Sequence, residues 1–361
     1  MSITVSTPGR ICLFGEHQDY LGLPVIPSAI SVRVTLTGTF RDDKEVHFEL
    51  PDISSSDTFS FAGELRYEKP RDYLRSVVNV MRRHGYSFSN GLNVHVHGTI
   101  PINSGTSSSS ALIVAWIDLL ARMSDQSVPL SPEVIAKYAH EAEVLEFGEP
   151  GGMMDHYSTA VGGILFLEFS PTVRLQKIGA RLGTFVLGDS MEPKETTTIL
   201  SRVKDPIVRA VERLAAHHPG FSLQTTDREQ LRSYSGKLSE QEAALLAGTI
   251  TNRDITRTAL RLLSSSSFDH HTVGTLLSDH HAVLRDVLKI STPKIERMLD
   301  AAQNAGAYGG KINGSGGGGC MFVYAPERPE DVAEAIEREG GRAFIVCSEP
   351  GTRLESAGMN G

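Results

Sequence analysis

The sequence predicts an α+β fold in which strands dominate the first part of the chain and helices the second. Residues 32–40, 45–50 and 92–100 read as strands, whereas apolar residues recur at helical spacing through most of residues 190–305. This separation of strands from helices is typical of the α+β class. The 361 residues are enough for two domains, which we place at 1–175 and 176–361, with a last strand that could return to the first domain.

The net charge, the lengths of the apolar stretches and the cysteine positions exclude several classes of protein. A net charge of −8 is unlike the basic excess of a nucleic-acid binder, so no nucleic-acid partner is expected. No stretch approaches the roughly 18 apolar residues of a membrane span, and no basic segment precedes an apolar run at the start. We therefore expect a cytoplasmic protein. Cys12, Cys320 and Cys347 form no CxxC or Cys/His cluster, so neither a zinc site nor a disulfide framework is predicted.

A polar segment follows the first strands. Residues 2–6 alternate like a short strand, residues 7–10 read as a turn, and residues 11–14 are apolar. Residues 15–22 then place two acids, a histidine and a tyrosine between glycines. Such polar density on a loop is more typical of a binding site than of a core, with a solvated turn as the alternative.

A serine-rich segment at residues 101–111 lies between a predicted strand and a predicted helix. The strand covers residues 92–100, and the helix runs from Ser110 to about Met123. Free N–H groups and the dipole at a helix N-terminus favour a bound anion, and small side chains let phosphate oxygens approach. A flexible serine loop with an N-cap is an equally good interpretation of this segment by itself.

The remaining elements follow from periodicity and from breaking residues. One helix is predicted over residues 70–84. Another begins at Ser131–Pro132 and ends near Gly148, where glycine and proline break it. The other predicted strands are 164–169, 181–188, 321–324 and 343–347, and the other predicted helices are 205–217, 227–234, 239–247, 251–263, 271–288, 293–305 and one starting at Pro329.

The glycine-rich run 314–319 formally matches GxGxxG, but it does not predict a Rossmann domain. That fingerprint follows a strand and opens a helix, whereas this run follows a helix and opens a strand. The sequence also has no GxxxxGK[ST], so no P-loop is predicted. Because so many glycines cost backbone entropy, the run predicts a loop that a ligand or another loop approaches closely. The histidine pairs at 270–271 and 280–281 lack zinc spacing and are interpreted as surface or capping residues.

Four segments, in order, resemble the signatures of the GHMP small-molecule kinases, most closely the galactokinase branch. Residues 8–22 resemble the galactokinase signature, 101–111 the serine-rich ATP loop, 148–155 the segment with the catalytic base, and 278–286 with 306–320 the C-terminal signature. The resemblance implies a ribosomal-protein-S5-like N-terminal domain and a ferredoxin-like, helix-rich C-terminal domain. It also implies ATP-dependent phosphorylation of the anomeric hydroxyl of a monosaccharide, galactose to galactose 1-phosphate.

The resemblance also assigns roles to residues. Asp155 would be the general base and Arg10 its basic partner, which keeps the carboxylate ionised. Ser109 and Glu143 would hold Mg²⁺, which takes its remaining ligands from phosphate and water. The residues implied for ATP are Asn103, Ser104, Gly105, Thr106, Ser107, Ser108, Ser109 and Ser110. Those implied for the sugar are Glu16, His17, Asp19 and Gly152, and Gly314, Gly316, Gly317 and Gly318 would flank sugar and phosphates.

The sequence departs from the galactokinase pattern in ways that bear on the substrate. Gln18 stands where threonine is usual, and residues 189–204 lack the usual tyrosine followed by paired arginines. Residues 13–17 also resemble the mevalonate kinase version of the first motif. Galacturonate, arabinose and mevalonate are therefore alternative substrates. A sensor that binds sugar and ATP without turnover is a further alternative, but the intact serine-rich loop and Asp155 favour an enzyme. Oligomeric state and anomer are not predicted.

Overall fold

The computed structural model describes residues 2–102, 104–194 and 196–358. The strands are β1 Ser2–Phe14, β2 Ile26–Phe40, β3 Glu45–Leu50, β4 Ser55–Ser60, β5 Leu92–Gly98, β6 Ile164–Glu168, β7 Arg174–Ile178, β8 Thr184–Asp189, β9 Gly309–Ile312, β10 Cys320–Tyr324, β11 Arg342–Cys347 and β12 Arg353–Gly358. The helices are α1 Tyr73–Arg83, α2 Ser108–Met123, α3 Pro132–His140, α4 Met154–Val161, α5 Thr196–His217, α6 Arg228–Ser233, α7 Glu240–Leu263, α8 His270–Asp286, α9 Pro293–Asn304 and α10 Pro329–Arg338.

The larger sheet has the strand order β12-β1-β2-β5-β3-β4, and β6 pairs with β2 and β7 beside it. The pairs are antiparallel except for β3 with β5. Helix α2 packs against β1 and β2. The serine-rich loop at the start of α2 therefore reaches the middle of β1, where the Arg10 backbone N–H donates to Thr106 O at 3.2 Å.

The smaller sheet is antiparallel, with the order β11-β8-β10-β9. Two connections from this sheet matter for the site. The β9–β10 hairpin carries the glycine-rich run, and the end of β8 leads into residues 190–194. Residue Asn313 ties the hairpin to the larger sheet, because its Oδ1 accepts from the Cys12 N–H at 2.9 Å. The two sheets therefore meet beside β1.

Two clusters of buried apolar side chains stabilise the fold. The larger cluster lies around the larger sheet and includes Trp116, which is fully buried. The Trp116 indole N–H donates to Leu74 O at 3.1 Å, and its ring meets Phe48 edge-on with centroids 4.8 Å apart. The second cluster joins the helices of the second half to one face of the smaller sheet. Burial of this apolar area supplies most of the folding free energy.

The α+β prediction is confirmed, but several element boundaries are wrong. The predicted turn at residues 7–10 is part of the continuous strand β1. Its pairing with β2 shifts register between Pro8 and Gly9, and the ladder with β12 ends at Ser6. A proline and a glycine are tolerated at such a bulge, where one hydrogen bond of the ladder is already missing.

The predicted helices 239–247 and 251–263 form the single helix α7. Gly248 does not break this helix. A Cβ at Gly248 would lie 2.9 Å from Val287 and 3.1 Å from Val283, so the glycine lets α7 and the end of α8 approach closely. Its presence reflects helix packing and not a turn.

Three further predictions differ from the structure. Helix α5 begins at Thr196, well before the predicted 205, and continues through Pro206. The predicted helix from Ser131 to Gly148 is interrupted, because α3 passes into a π-helical turn at Glu141–Leu145. The predicted strand 343–347 corresponds to β11 beside β8 in the smaller sheet, and it is followed by the strand β12, which was not predicted and pairs with β1. Polar, exposed β12 carries little apolar alternation, so its sequence gave no strand signal.

Candidate active site

Arg10 and Asp155 form an ion pair on the wall of a cavity of about 390 Å³, which the serine-rich loop and the glycine-rich loop both border. Arg10 Nε donates to Asp155 Oδ1 at 2.8 Å, and a second guanidinium nitrogen lies 2.8 Å from the same oxygen. Its third nitrogen donates to the Gly105 carbonyl. Burial is the largest influence and would raise the pKa of Asp155, but the Arg10 cation, together with Ser107 and His156, brings this pKa below its ordinary value. Asp155 is therefore ionised at neutral pH.

Asp19 lies close to Asp155, but its pKa is shifted in the opposite direction. Its Oδ2 accepts from the Met154 N–H at 3.3 Å. Gly152 makes this approach possible, because a Cβ at that position would overlap the Asp19 carboxylate. Burial first, and the neighbouring charge of Asp155 second, raise the pKa of Asp19 to about 6. The two carboxylates thus share one corner of the cavity.

Glu16 borders the same cavity and is paired with a lysine inside the protein. Its Oε2 lies 2.6 Å from the Lys311 ammonium, which also donates to Cys12 O at 2.9 Å. Lys311 has no exposed side-chain surface, and Glu16 has 2%. The Lys311 ammonium also lies 5.2 Å from the centre of the Phe322 ring. One Glu16 oxygen is therefore committed to holding β9 against the end of β1.

His17 is neutral and both of its ring nitrogens are engaged. Nδ1 lies 2.8 Å from the Tyr20 hydroxyl and Nε2 lies 3.1 Å from Ser315 O. Nε2 is the donor, because a carbonyl can only accept, and Nδ1 accepts from the tyrosine. Burial lowers the pKa of His17 to about 4. Gln18, next in sequence, points away and donates to Thr249 O on α7 at 3.0 Å.

The serine-rich loop divides into residues that brace it and residues that face the cavity. Ser104 donates to Pro101 O at 2.7 Å, and its hydroxyl lies 3.0 Å from that of Thr106. These two side chains are buried inside the loop. Ser107, which has a φ of 61°, keeps a buried hydroxyl without a hydrogen-bond partner within the described residues. Asn103 lies outside the described residues. The cavity-facing members are Gly105, Ser107, Ser108, Ser109 and Ser110.

Glu143 reaches the start of α2 from the π-helical turn. The turn is closed by Glu146 N–H donating to Glu141 O at 3.0 Å. Such single π turns frequently occur at functional sites. Glu143 Oε2 accepts from the Ser110 hydroxyl at 2.7 Å and lies 2.8 Å from His156 Nε2. Burial is the largest influence and opposes ionisation of Glu143, but His156, Ser109 and Ser110 together bring its pKa below the ordinary value.

The donor set near Glu143 fits a hard divalent cation. Within the described ranges no cluster of three His, Cys, Asp or Glu side chains could hold a metal ion. An ionised carboxylate with neighbouring serine hydroxyls suits Mg²⁺ that takes its other ligands from phosphate and water. Glu143 Oε2 is already occupied by Ser110 and His156, so Oε1 is the oxygen left for a metal.

The glycine-rich run mainly packs against protein. Gly314 borders the cavity, and a Cβ there would lie 2.8 Å from Gly105 O. Gly316, Gly317 and Gly318 have φ values of 81°, 74° and 125°, all in the region that favours glycine. Their neighbours are Ile290, Ile199 and the carbonyls of Glu192 and Pro193. Of the two sequence interpretations, close approach by another part of the protein describes these three positions, although the neighbour of Gly317 lies on helix α5 and not on a loop.

Three residues of the site were missed by the sequence analysis: Lys194, Lys311 and His156. Lys194 and His156 border the cavity, and Lys311 is buried behind Glu16. Lys194 stands in the segment that departs from the galactokinase pattern, which was a signal that this segment bears on the site. Nothing local in the sequence marks the contact between Lys311 and Glu16, since 295 positions separate them.

Comparison with known proteins identifies the family. The GHMP kinases N-terminal domain matches residues 72–163, the GHMP kinases C-terminal domain matches 259–343, and the galactokinase galactose-binding signature matches 2–39. A mevalonate kinase of Pyrococcus abyssi is 30% identical over 98% of this chain and 98% of its own length. A galactokinase of Haemophilus influenzae is 28% identical over 96% of this chain and 93% of its own length.

Solved structures of the same fold come from both kinds of enzyme. The Lactococcus lactis galactokinase complexed with galactose superimposes with a TM-score of 0.86 at 20% identity, covering 98% of this chain and 95% of its own. The Methanococcus jannaschii mevalonate kinase gives a TM-score of 0.75 at 19% identity, covering 97% and 99%.

The fold and its relatives define an ATP-dependent small-molecule kinase. The chain belongs to the GHMP kinase family. The family and enzyme class predicted from the four motifs are thus confirmed. Within the described ranges, none of the helices combines the length and the apolar character needed to cross a bilayer.

Proposed function

We propose that this protein transfers the γ-phosphoryl group of ATP to the anomeric hydroxyl of galactose, giving galactose 1-phosphate. The observation that carries the proposal is the pair of carboxylates, Asp19 and Asp155, in one corner of the cavity beside neutral His17. The galactose-binding signature matched at residues 2–39 includes Asp19 and His17 and supports the same choice.

The electrostatics of this corner favour a neutral polyol over an anionic acceptor. The pKa of Asp19 is raised to about 6, so its surroundings already disfavour negative charge. A second anion placed there would be repelled, whereas sugar hydroxyls can donate to both carboxylates. Galacturonate and mevalonate both carry a carboxylate, and galactose and arabinose do not.

In this proposal Asp155 accepts the proton of the attacking hydroxyl. It is ionised in the free enzyme, because Arg10 donates to it. A carboxylate of low pKa suffices as the base, because the attacking hydroxyl becomes acidic as its oxygen–phosphorus bond forms. Arg10 also fixes the carboxylate relative to Gly105 of the serine-rich loop. The acceptor hydroxyl and the phosphates are thereby aligned by one side chain.

The phosphates would lie along the cavity-facing backbone of the serine-rich loop. The N-terminus of α2 and the cavity-facing Ser107 hydroxyl supply donors there. Glu143 and Ser109 would hold Mg²⁺, which when bound neutralises charge on the β- and γ-phosphates. Gly105 and Ser107 have φ values of 90° and 61°, which turn the chain around the phosphate position.

Mevalonate is the second candidate substrate. The observation that favours it is similarity, because a mevalonate kinase of Pyrococcus abyssi is 30% identical and the Haemophilus influenzae galactokinase is 28% identical. A difference this small does not separate the two activities.

A coupled ADP-release assay with galactose, arabinose, galacturonate and mevalonate tests the proposal. We expect the highest kcat/KM with galactose, and phosphorus NMR of the product should show a phosphate coupled to the anomeric proton. Asp19→Asn should raise the KM for the sugar and leave the KM for ATP unchanged. Asp300→Asn, an exposed carboxylate on α9 outside the cavity, is the matched control. Preferred turnover of mevalonate would overturn the substrate assignment.

A further inference from the structure

The ammonium group of Lys194 lies at the junction of the serine-rich and glycine-rich loops. Its ammonium donates to the Ser315 hydroxyl at 3.2 Å. On the other side, a Cβ at Gly105 would lie 2.9 Å from the same nitrogen. Lys194 borders the cavity together with Arg10 and Asp155. It therefore faces the space between the proposed phosphate cradle and the proposed base.

The segment before Lys194 is anchored, so the position of the lysine is defined. The Glu192 carbonyl accepts from the Gly319 N–H at 3.1 Å, and the Glu192 carboxylate accepts from the Thr292 hydroxyl at 2.5 Å. A Cβ at Gly318 would lie 2.9 Å from the Glu192 carbonyl oxygen and 3.0 Å from that of Pro193. Close packing against the glycine-rich loop thus directs residues 192–194 toward the cavity.

Within the described residues, Lys194 differs from the other long basic side chains of the cavity wall because no carboxylate is paired with it. Arg10 is paired with Asp155, and Arg71 is paired with Glu149. For Lys194 the described residues provide a hydrogen bond to Ser315 and no ion pair. A cation that is partly removed from water is stabilised when a ligand supplies negative charge beside it.

Burial and the neighbouring charged groups explain the pKa of Lys194. Burial is the main cause that lowers its pKa to about 8, and the Arg10 cation acts in the same direction. Asp155, Glu16 and Cys320 act in the opposite direction and do not offset the burial. At neutral pH the ammonium is mostly protonated, and it loses its charge as the pH rises through about 8.

We propose that Lys194 is a catalytic residue that binds the oxygens of the transferring phosphoryl group and stabilises their charge in the transition state. Charge in phosphoryl transfer spreads over these oxygens, and a preorganised cation in a partly dry site stabilises it effectively. The proposal rests on the kinase site described above and not on which acceptor is phosphorylated. A purely structural lysine that bridges two loops would not need to face the cavity.

The experiment compares kcat, KM and the pH profile for three variants with the best acceptor. Lys194→Met should lower kcat by roughly 10²–10³-fold, as for the loss of other transition-state donors, with little change in the KM for the acceptor. Lys194→Arg should retain most of kcat and move the alkaline limit of the profile upward from about 8, because arginine stays protonated. Lys177→Met, on β7 and exposed, is the matched control and should leave both constants unchanged.

A second readout is binding of ADP with aluminium fluoride, which resembles the transferring phosphoryl group, in the presence of the acceptor. Lys194→Met should weaken this complex far more than it weakens the ATP complex. A kcat within threefold of the wild type, or an alkaline limit that Lys194→Arg does not move, would overturn the proposal. If Asp155→Asn abolishes turnover while Lys194→Met is silent, the kinase site stands and the role of Lys194 fails. If both variants are fully active, the site itself is wrong.

Discussion

Asp19→Asn should stabilise the free protein at neutral pH while it impairs sugar binding. In the folded protein the pKa of Asp19 is raised from 3.8 to about 6. This shift corresponds to about 3 kcal/mol at 1.36 kcal/mol per pKa unit. Because the side chain is partly exposed to the cavity, solvent screening reduces the effect, and we expect roughly 1–3 kcal/mol.

The sign of the effect follows from proton linkage. A group whose pKa is higher in the folded state stabilises the fold at pH below its unfolded value, and this stability is lost as the pH rises through the folded value. For Asp19 the loss occurs between about 4 and about 6. Asparagine carries no charge at any of these pH values. The free energy of unfolding of Asp19→Asn should therefore equal that of the wild type near pH 4 and exceed it by the full amount above pH 6.

Urea unfolding at several pH values between 4 and 8 measures this difference, and the slope m serves to check that both proteins unfold in the same way. The exposed Asp300→Asn provides the control, with curves that should overlay the wild type at every pH. The free energy of unfolding of Asp19→Asn could instead differ from that of the wild type by a constant amount, or by less above pH 6 than below it. Either result would refute the idea that ionisation of Asp19 destabilises the fold.

Three further predictions concern other members of the site. Asp155→Asn should abolish turnover and leave ATP binding intact, measured by coupled assay and calorimetry; full activity would remove it as the base. Glu143→Gln should raise the Mg²⁺ concentration needed for half-maximal activity and weaken Mn²⁺ binding followed by electron paramagnetic resonance. Lys311→Met should cost about 3–5 kcal/mol of stability, because it leaves the buried Glu16 carboxyl group without its ion-pair partner.

The double variant Lys311→Met/Glu16→Gln is the control for the last of these. Removing both charges leaves no unpaired ion, so most of the lost stability should return. Urea midpoints of the two single variants and the double variant measure this. Equal destabilisation in the single Lys311→Met and the double variant would show that lost packing, and not the unpaired charge, is responsible.

The sequence identified the polar loops well because their chemistry is local. Residues 15–22 and the serine-rich loop carry their signals in adjacent positions, and the structure brings both to one cavity. The order of four motifs then identified the family, which no single loop could do. The assigned roles of individual residues within these loops stay predictions until the variants above are measured.

The contacts that the sequence could not predict join distant parts of the chain. The Lys311–Glu16 pair depends on β9 meeting the end of β1, and nothing next to either residue indicates it. The hydrogen bond between His156 and Glu143 requires the π-helical turn, whose single extra residue has no periodic signature. Helix α7 was predicted as two helices that stop on either side of residues 248–250, since a sequence does not show which glycine lies against another helix.

The two carboxylates in the corner of the cavity give the clearest link between structure and chemistry. Asp155 and Asp19 are neighbours, yet Arg10 lowers the pKa of one, while burial and the charge of the first raise the pKa of the other to about 6. Groups whose pKa values are pushed apart in this way commonly take different roles. We therefore expect the KM for the sugar to change as the pH passes through about 6, and to become independent of pH there in Asp19→Asn. A KM that varies equally in both proteins would assign this titration to another group.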